Sequence, residues 1–176
     1  MTARREDEGG AKGWDDAQRL EMLEAALPDA AMVDLEVASI GLAGGFLEKT
    51  REASVPWVAS CHDFERTPEL AVLREKAAAA REAGAAVFKA ATMIQTPADL
   101  ARLADFQLED HGIAVATMGM GPLAVVSRLL CAQCGSVLNY GYLGGAATAP
   151  GQWSALELRD AIGRLPLAGS LRGMER

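Results

Sequence analysis

Apolar residues recur along this chain in two alternating rhythms. Short runs rich in β-branched and small apolar residues are followed by longer Ala- and Leu-rich stretches with helical spacing, from the first residues to the last. This alternation is the pattern of an α/β fold built on a parallel sheet. It predicts strands at Met1–Arg4, Met32–Val37, Trp57–His62, Ala86–Ala90, Ile113–Met118 and Val137–Tyr142, and helices near 14–27, 39–52, 68–83, 97–105, 121–132 and 154–163. Two helix starts carry explicit signals. Thr67-Pro68-Glu69 and Thr96-Pro97-Ala98-Asp99 each set a hydroxyl cap before a proline at the first helical position, with an acidic residue in the first turn.

The spacing of reactive side chains sharpens that reading. Glu36, His62 and Lys89 each fall at the end of a predicted strand, one strand–helix unit apart. In a closed (β/α)8 barrel the C-terminal strand ends ring a single mouth, so residues this far apart in sequence meet in space. An open doubly wound sheet gathers them less readily, because its site sits at one switch point.

Composition bounds the class of protein. The chain has 176 residues, half of them apolar and 23% charged, enough for one sizeable core. No apolar run approaches the ~20 residues of a membrane span, and the charged first ten residues do not read as a signal peptide, so a cytoplasmic location is expected. A formal net charge of −7 without a basic stripe argues against nucleic-acid partners. Three cysteines fit a reducing compartment better than a disulfide framework. Cys131 and Cys134 form a C-x-x-C pair, but they sit at a predicted helix end without a second pair or a histidine, and read as packing rather than a zinc site.

Several residues carry candidate chemistry. Lys89 lies in Ala85-Ala86-Val87-Phe88-Lys89-Ala90-Ala91 with no other charge in the strand to pair it, on the face of Val87 and opposite Phe88. A desolvated lysine becomes a nucleophile toward carbonyls, although a lysine snorkelling from a strand end fits the same residues. His62, where a strand gives way to a loop, suits acid–base work, or a plain hydrogen-bonded loop histidine. A Cys61–His62 dyad is disfavoured because strand neighbours point to opposite faces. His111 reads as a turn residue. Asp34 and Glu36 share one strand face and would bury two carboxylates unless they do polar work, the alternative being a wet strand. Arg4 and Arg128 suit a carboxylate ligand or a solvated surface. Gly119-Met120-Gly121-Pro122 lacks the spacing of a dinucleotide loop and reads as a tight turn into a helix. Gly144 to Gly151 has the composition of a loop that closes as a flap.

Taken in order, Arg4 with Glu8-Gly9-Gly10, Val33-Asp34-Leu35-Glu36, Ser60 through Pro68, Phe88-Lys89-Ala90-Ala91-Thr92-Met93, Ser127-Arg128 and Ala149-Pro150-Gly151-Gln152 resemble the type I 3-dehydroquinate dehydratases over nearly the whole chain. The resemblance implies a (β/α)8 TIM barrel, and it implies a lyase of the shikimate pathway for aromatic amino acids. There, Lys89 forms an imine with 3-dehydroquinate, His62 moves protons, and Glu36 holds His62 by a hydrogen bond. It further implies that Arg4, Arg128 and Gln152 grip the substrate, with Thr148 on a closing loop within 144–152. No metal or organic cofactor is implied, and a homodimer is. The family more often carries serine where Thr148 stands. The chain supplies about six of eight βα units as a single domain over 1–176, and the first two are expected to be missing, together with an acidic and basic binding pair. Other readings of the same residues are a class I lysine-imine aldolase and an inactive barrel piece serving as an interaction module.

Overall fold

The computed structural model describes residues 1–145 and 151–165. Four strands, β1 (Val33–Glu36), β2 (Trp57–Asp63), β3 (Val87–Met93) and β4 (Ala114–Met120), form one sheet in the order β1-β2-β3-β4, parallel throughout. The helix α1 (Asp16–Ala26) precedes the sheet, α2 (Gly44–Glu52), α3 (Leu70–Glu82) and α4 (Pro97–Leu108) join its strands, and α5 (Ala124–Gln133) and α6 (Ala155–Ile162) follow. Each parallel pair therefore has a crossover helix, as parallel connection requires.

Period-two alternation divides the strand residues between two faces. Leu35, Ala59, Cys61, Phe88, Ala90 and Val115 join Leu23, Phe46, Leu73 and Phe106 from the helices in the main core. Phe88 and Phe106 meet edge to face with centroids 5.9 Å apart, a geometry that suits the ring quadrupoles. The opposite face carries Val58, Val87 and Ala116 in one apolar layer, and Ala91, Met118 and Met120 in the next.

Four expectations are corrected. Met1–Arg4 is not a strand ladder but a single parallel bridge, Thr2 with Asp34, reinforced by Asp34 N–H donating to the Met1 carbonyl at 2.8 Å. Val137–Tyr142 forms no strand beside β4. The Thr117 amide, which a sixth strand would engage, donates instead to Ser136 Oγ at 3.2 Å, and only Val137 N–H reaches across, to the Val115 carbonyl. At Thr67-Pro68-Glu69 the helix begins at Leu70 with no side-chain cap. Thr67 Oγ1 donates to the Met93 carbonyl at 2.8 Å, tying the loop after β2 to β3. The matching signal at Thr96 does form a full capping box with Asp99. The helix expected over 39–52 is divided into a 3-10 segment, Val37–Leu42, and α2, which begins among Gly44 and Gly45.

Candidate active site

All three strand-end residues singled out by spacing are inward-facing, yet their partners differ from those expected. In the ladder Ser60 lies beside Lys89 and His62 beside Ala91, which sets His62 one inward position above Lys89 on neighbouring strands. The two groups line one cavity of about 720 Å³, together with Arg4, Asp34, Arg128 and Gln152. A cavity of that size holds a small organic molecule.

Lys89 is buried and is paired from outside its own strand. Its Nζ donates to Asp34 Oδ2 at 2.7 Å. The partner is invisible in the lysine strand because it comes from 55 residues earlier. Burial drives the Lys89 ammonium below its ordinary range; Asp34 opposes the shift and Arg4 adds to it. For Asp34, burial acts upward, but the charges of Lys89 and Arg4 outweigh it and hold the carboxyl below its usual range. Asp34 also accepts from Ser60 Oγ at 2.6 Å and lies 3.3 Å from Arg4. The Tyr140 ring covers Nζ at 4.7 Å, a cation–π contact. Burial, followed by the Asp34 charge, pushes the Tyr140 phenol up to about 12.

His62 is held by Glu8, not by Glu36. Glu8 Oε2 lies 2.9 Å from His62 Nδ1 and accepts the His62 backbone N–H at 2.9 Å. Glu36 is fully buried and engaged elsewhere: it accepts from Arg5 N–H at 3.0 Å, from Arg19 and from Ser39. The two carboxylates could be confused because both sit close to Arg4, one in chain position and one in space. The chain reverses tightly after Glu8: Gly10 N–H donates to the Arg5 carbonyl at 2.7 Å, and a Cβ at Gly10 would lie 1.9 Å from the Arg4 carbonyl oxygen. That curl turns Glu8 back toward β2. The Glu8-Gly9-Gly10 triplet was the available sequence signal for it.

Arg4 reaches the same centre, its Nη1 within 2.6 Å of His62 Nδ1, 2.7 Å of Nε2 and 3.2 Å of Ser60 Oγ. Burial lowers the His62 pKa, Glu8 works against the shift, and Lys89 and Arg4 add to it, so the neutral imidazole is favoured. A neutral imidazole beside a carboxylate is set up to accept a proton. Arg128, on α5, donates to the Tyr140 carbonyl at 2.7 Å, while its Nε is buried without a partner. Arg128 lines the cavity, where a guanidinium suits an anionic ligand.

Thr148, and with it most of the expected flap, lies outside the described residues. Cys61 faces the helices, and burial pushes its thiol up to about 12, so it is no nucleophile at neutral pH. Cys131 is buried and Cys134 half-buried, both as free thiols. His111 stacks on Phe106 and contacts its carbonyl at 2.7 Å, at the turn into β4. Among the described residues, no three His, Cys, Asp or Glu side chains gather as metal ligands, and no helix is long and apolar enough to cross a membrane.

The family model for type I 3-dehydroquinase matches residues 1–165. The 3-dehydroquinate dehydratase of Haloquadratum walsbyi is 36% identical over 172 residues, covering 94% of this chain and 70% of that protein. That of Haloarcula marismortui is 37% identical over 169 residues, covering 89% and 72%. Among solved structures, the 3-dehydroquinate dehydratase of Geobacillus kaustophilus superposes with a TM-score of 0.84 at 29% identity, over 99% of this chain and 68% of that one. The Clostridium difficile type I enzyme, solved with covalently modified comenic acid, gives 0.82 at 26% identity, over 92% of this chain and 66% of that one. The four-stranded sheet with its helices is accordingly an arc of the (β/α)8 barrel.

Proposed function

The chain belongs to the type I 3-dehydroquinase family, and from that premise we propose how its own residues dehydrate 3-dehydroquinate to 3-dehydroshikimate. The observation that carries the proposal is the buried Lys89 amine paired with Asp34, one inward position from His62, at the wall of a cavity that also presents Arg128.

Lys89 Nζ, once deprotonated, attacks the ketone carbon, and loss of water leaves a protonated imine. The Asp34 carboxylate, 2.7 Å from Nζ, is placed to stabilise that positive charge as it develops, and the Tyr140 face adds to it. The iminium acidifies the neighbouring C–H, and neutral His62 removes that proton to give an enamine. His62, now protonated, returns a proton to the hydroxyl on the next carbon, which departs as the second water. Hydrolysis of the product imine consumes one water and frees Lys89, so the net reaction releases one.

Glu8 orients the imidazole and stabilises its protonated form during the transfer, the role that the resemblance had given to Glu36. Arg128, Arg4 and Gln152, which line the cavity, are assigned to the substrate carboxylate and ring hydroxyls. A homodimer in the cytoplasm is part of the same reading and rests on the family resemblance; sedimentation at micromolar concentration tests the dimer.

Borohydride reduction in the presence of 3-dehydroquinate tests the central assignment. The reduced adduct is expected on Lys89. An adduct mapped to Lys49 or Lys76, or none in a preparation that turns over substrate, would remove it.

A further inference from the structure

Glu36 is 0% and Arg19 3% exposed, and neither touches the reacting groups. A buried ion pair adds little to stability, because desolvating both charges offsets their attraction, which leaves room for another use. The use is legible in what the pair holds. Arg19 Nε donates to the Ala3 carbonyl at 2.7 Å, and Glu36 Oε1 accepts the Arg5 N–H at 3.0 Å. These are the backbone groups on either side of Arg4. Arg19 also bonds Glu36 directly, and Asp16, at the start of α1, holds its other terminal nitrogen at 2.5 Å. Ser39 Oγ donates at 3.5 Å to Glu36 Oε2, the oxygen that Arg19 also holds.

Elsewhere this segment is held by Met1, through Met32 and Asp34, and by the side chains of Arg4 and Glu8 themselves. It bridges the sheet at Thr2 alone, then runs through a single 3-10 turn, Glu6–Glu8. Yet it delivers two of the groups around His62, Arg4 and Glu8. We propose that Arg19 and Glu36 are positioning residues for the dehydration: a clamp between α1 and β1 that grips the backbone on both sides of Arg4 and so aims Arg4 and Glu8 at His62. This rests on the functional reading above and extends it to residues outside the substrate cavity's chemistry. Glu36 then acts on His62 only through the segment.

The test compares the full chain with the double variant Arg19→Met/Glu36→Met, which removes both grips on the Arg4 backbone without leaving one buried charge unpaired. Amide hydrogen exchange, which needs no activity, is expected to speed up about tenfold or more in peptides covering residues 2–9 and to stay at parental rates in β2 and β3. Turnover of 3-dehydroquinate is expected to fall on the order of 10–100-fold, the scale of a misplaced catalytic group. Borohydride trapping at Lys89 should persist. Because the clamp works through the groups around His62, adding His62→Ala should cost little more than His62→Ala alone. Parental exchange in residues 2–9, turnover within twofold of the parent, or losses that multiply with His62→Ala would each overturn the proposal. Should the double variant fail to fold, Arg19→Met/Glu36→Gln, which loses the grip on Ala3 and the ion pair, is read by the same measures. A parent without dehydratase activity would count against the functional reading, and the exchange comparison would still decide the clamp.

Discussion

Replacing Asp34 by Asn isolates the charge that faces Lys89 while keeping the shape and an acceptor for Ser60 Oγ. In the parent, Asp34 Oδ2 stands 2.7 Å from Nζ, and Arg4 lies 3.3 Å from the same oxygen. Burial and Arg4 lower the Lys89 pKa, and Asp34 is the principal group opposing them. Without it two cations face each other across a neutral amide. An opposite charge at this range shifts a pKa by ~1–3 units, so the Lys89 pKa should drop by about that much further. At 1.36 kcal/mol per unit this is about 1.5–4 kcal/mol, which the ammonium loses relative to the free amine. The rate of imine formation rises as Lys89 deprotonates; its midpoint should therefore move to lower pH by ~1–3 units. Turnover should fall all the same, because the iminium loses the partner that the ammonium lost. Stopped borohydride trapping across pH gives the midpoint, steady-state dehydration gives turnover, and thermal melts confirm that each variant remains folded. A midpoint that stays put or moves upward would refute the pairing, and with it the account of how Lys89 is tuned.

His62→Ala should leave trapping at Lys89 largely intact while cutting turnover by ~10²–10⁴, and near-normal kcat would mean that another group moves the proton. Glu8→Gln should slow turnover more than trapping, which separates an aid to proton transfer from an aid to imine formation. The folded His62 pKa lies below its ordinary 6.5. As pH falls through 6.5 the unfolded chain takes up a proton that the folded chain refuses, so stability should decrease toward acid, and denaturant midpoints at pH 7 and pH 5 should converge in His62→Gln. Phe106→Ala, which removes a ring that is fully buried against Phe88 and His111, should cost about 3–5 kcal/mol in denaturant unfolding. A loss below 1 kcal/mol would mean the core there is loose.

What the sequence by itself determined is what local chemistry controls. Strand alternation placed Lys89 opposite Phe88, and the one-unit spacing of Glu36, His62 and Lys89 placed all three on inward strand positions, because the two-residue period of a strand is set by its backbone. Thr96 with Asp99 was legible as a cap for the same reason: donor and acceptor lie within one turn. Its counterpart Thr67 was not, since the Met93 carbonyl, 26 residues away, competes for the hydroxyl. The outer strands failed likewise, as an apolar run makes a ladder only if its neighbour's amides remain available, and Ser136 takes the one at Thr117. Only the tertiary structure decided the partners. Asp34 meets Lys89 and Glu8 meets His62 across 55 and 54 residues, and the choice of Glu8 over Glu36 turns on how one short segment curls at Gly10 and is gripped by Arg19. A carboxylate's residue type says that it will seek a cation or a donor. Which one it finds depends on the folded distances between groups that the chain itself keeps far apart, and no periodicity encodes those.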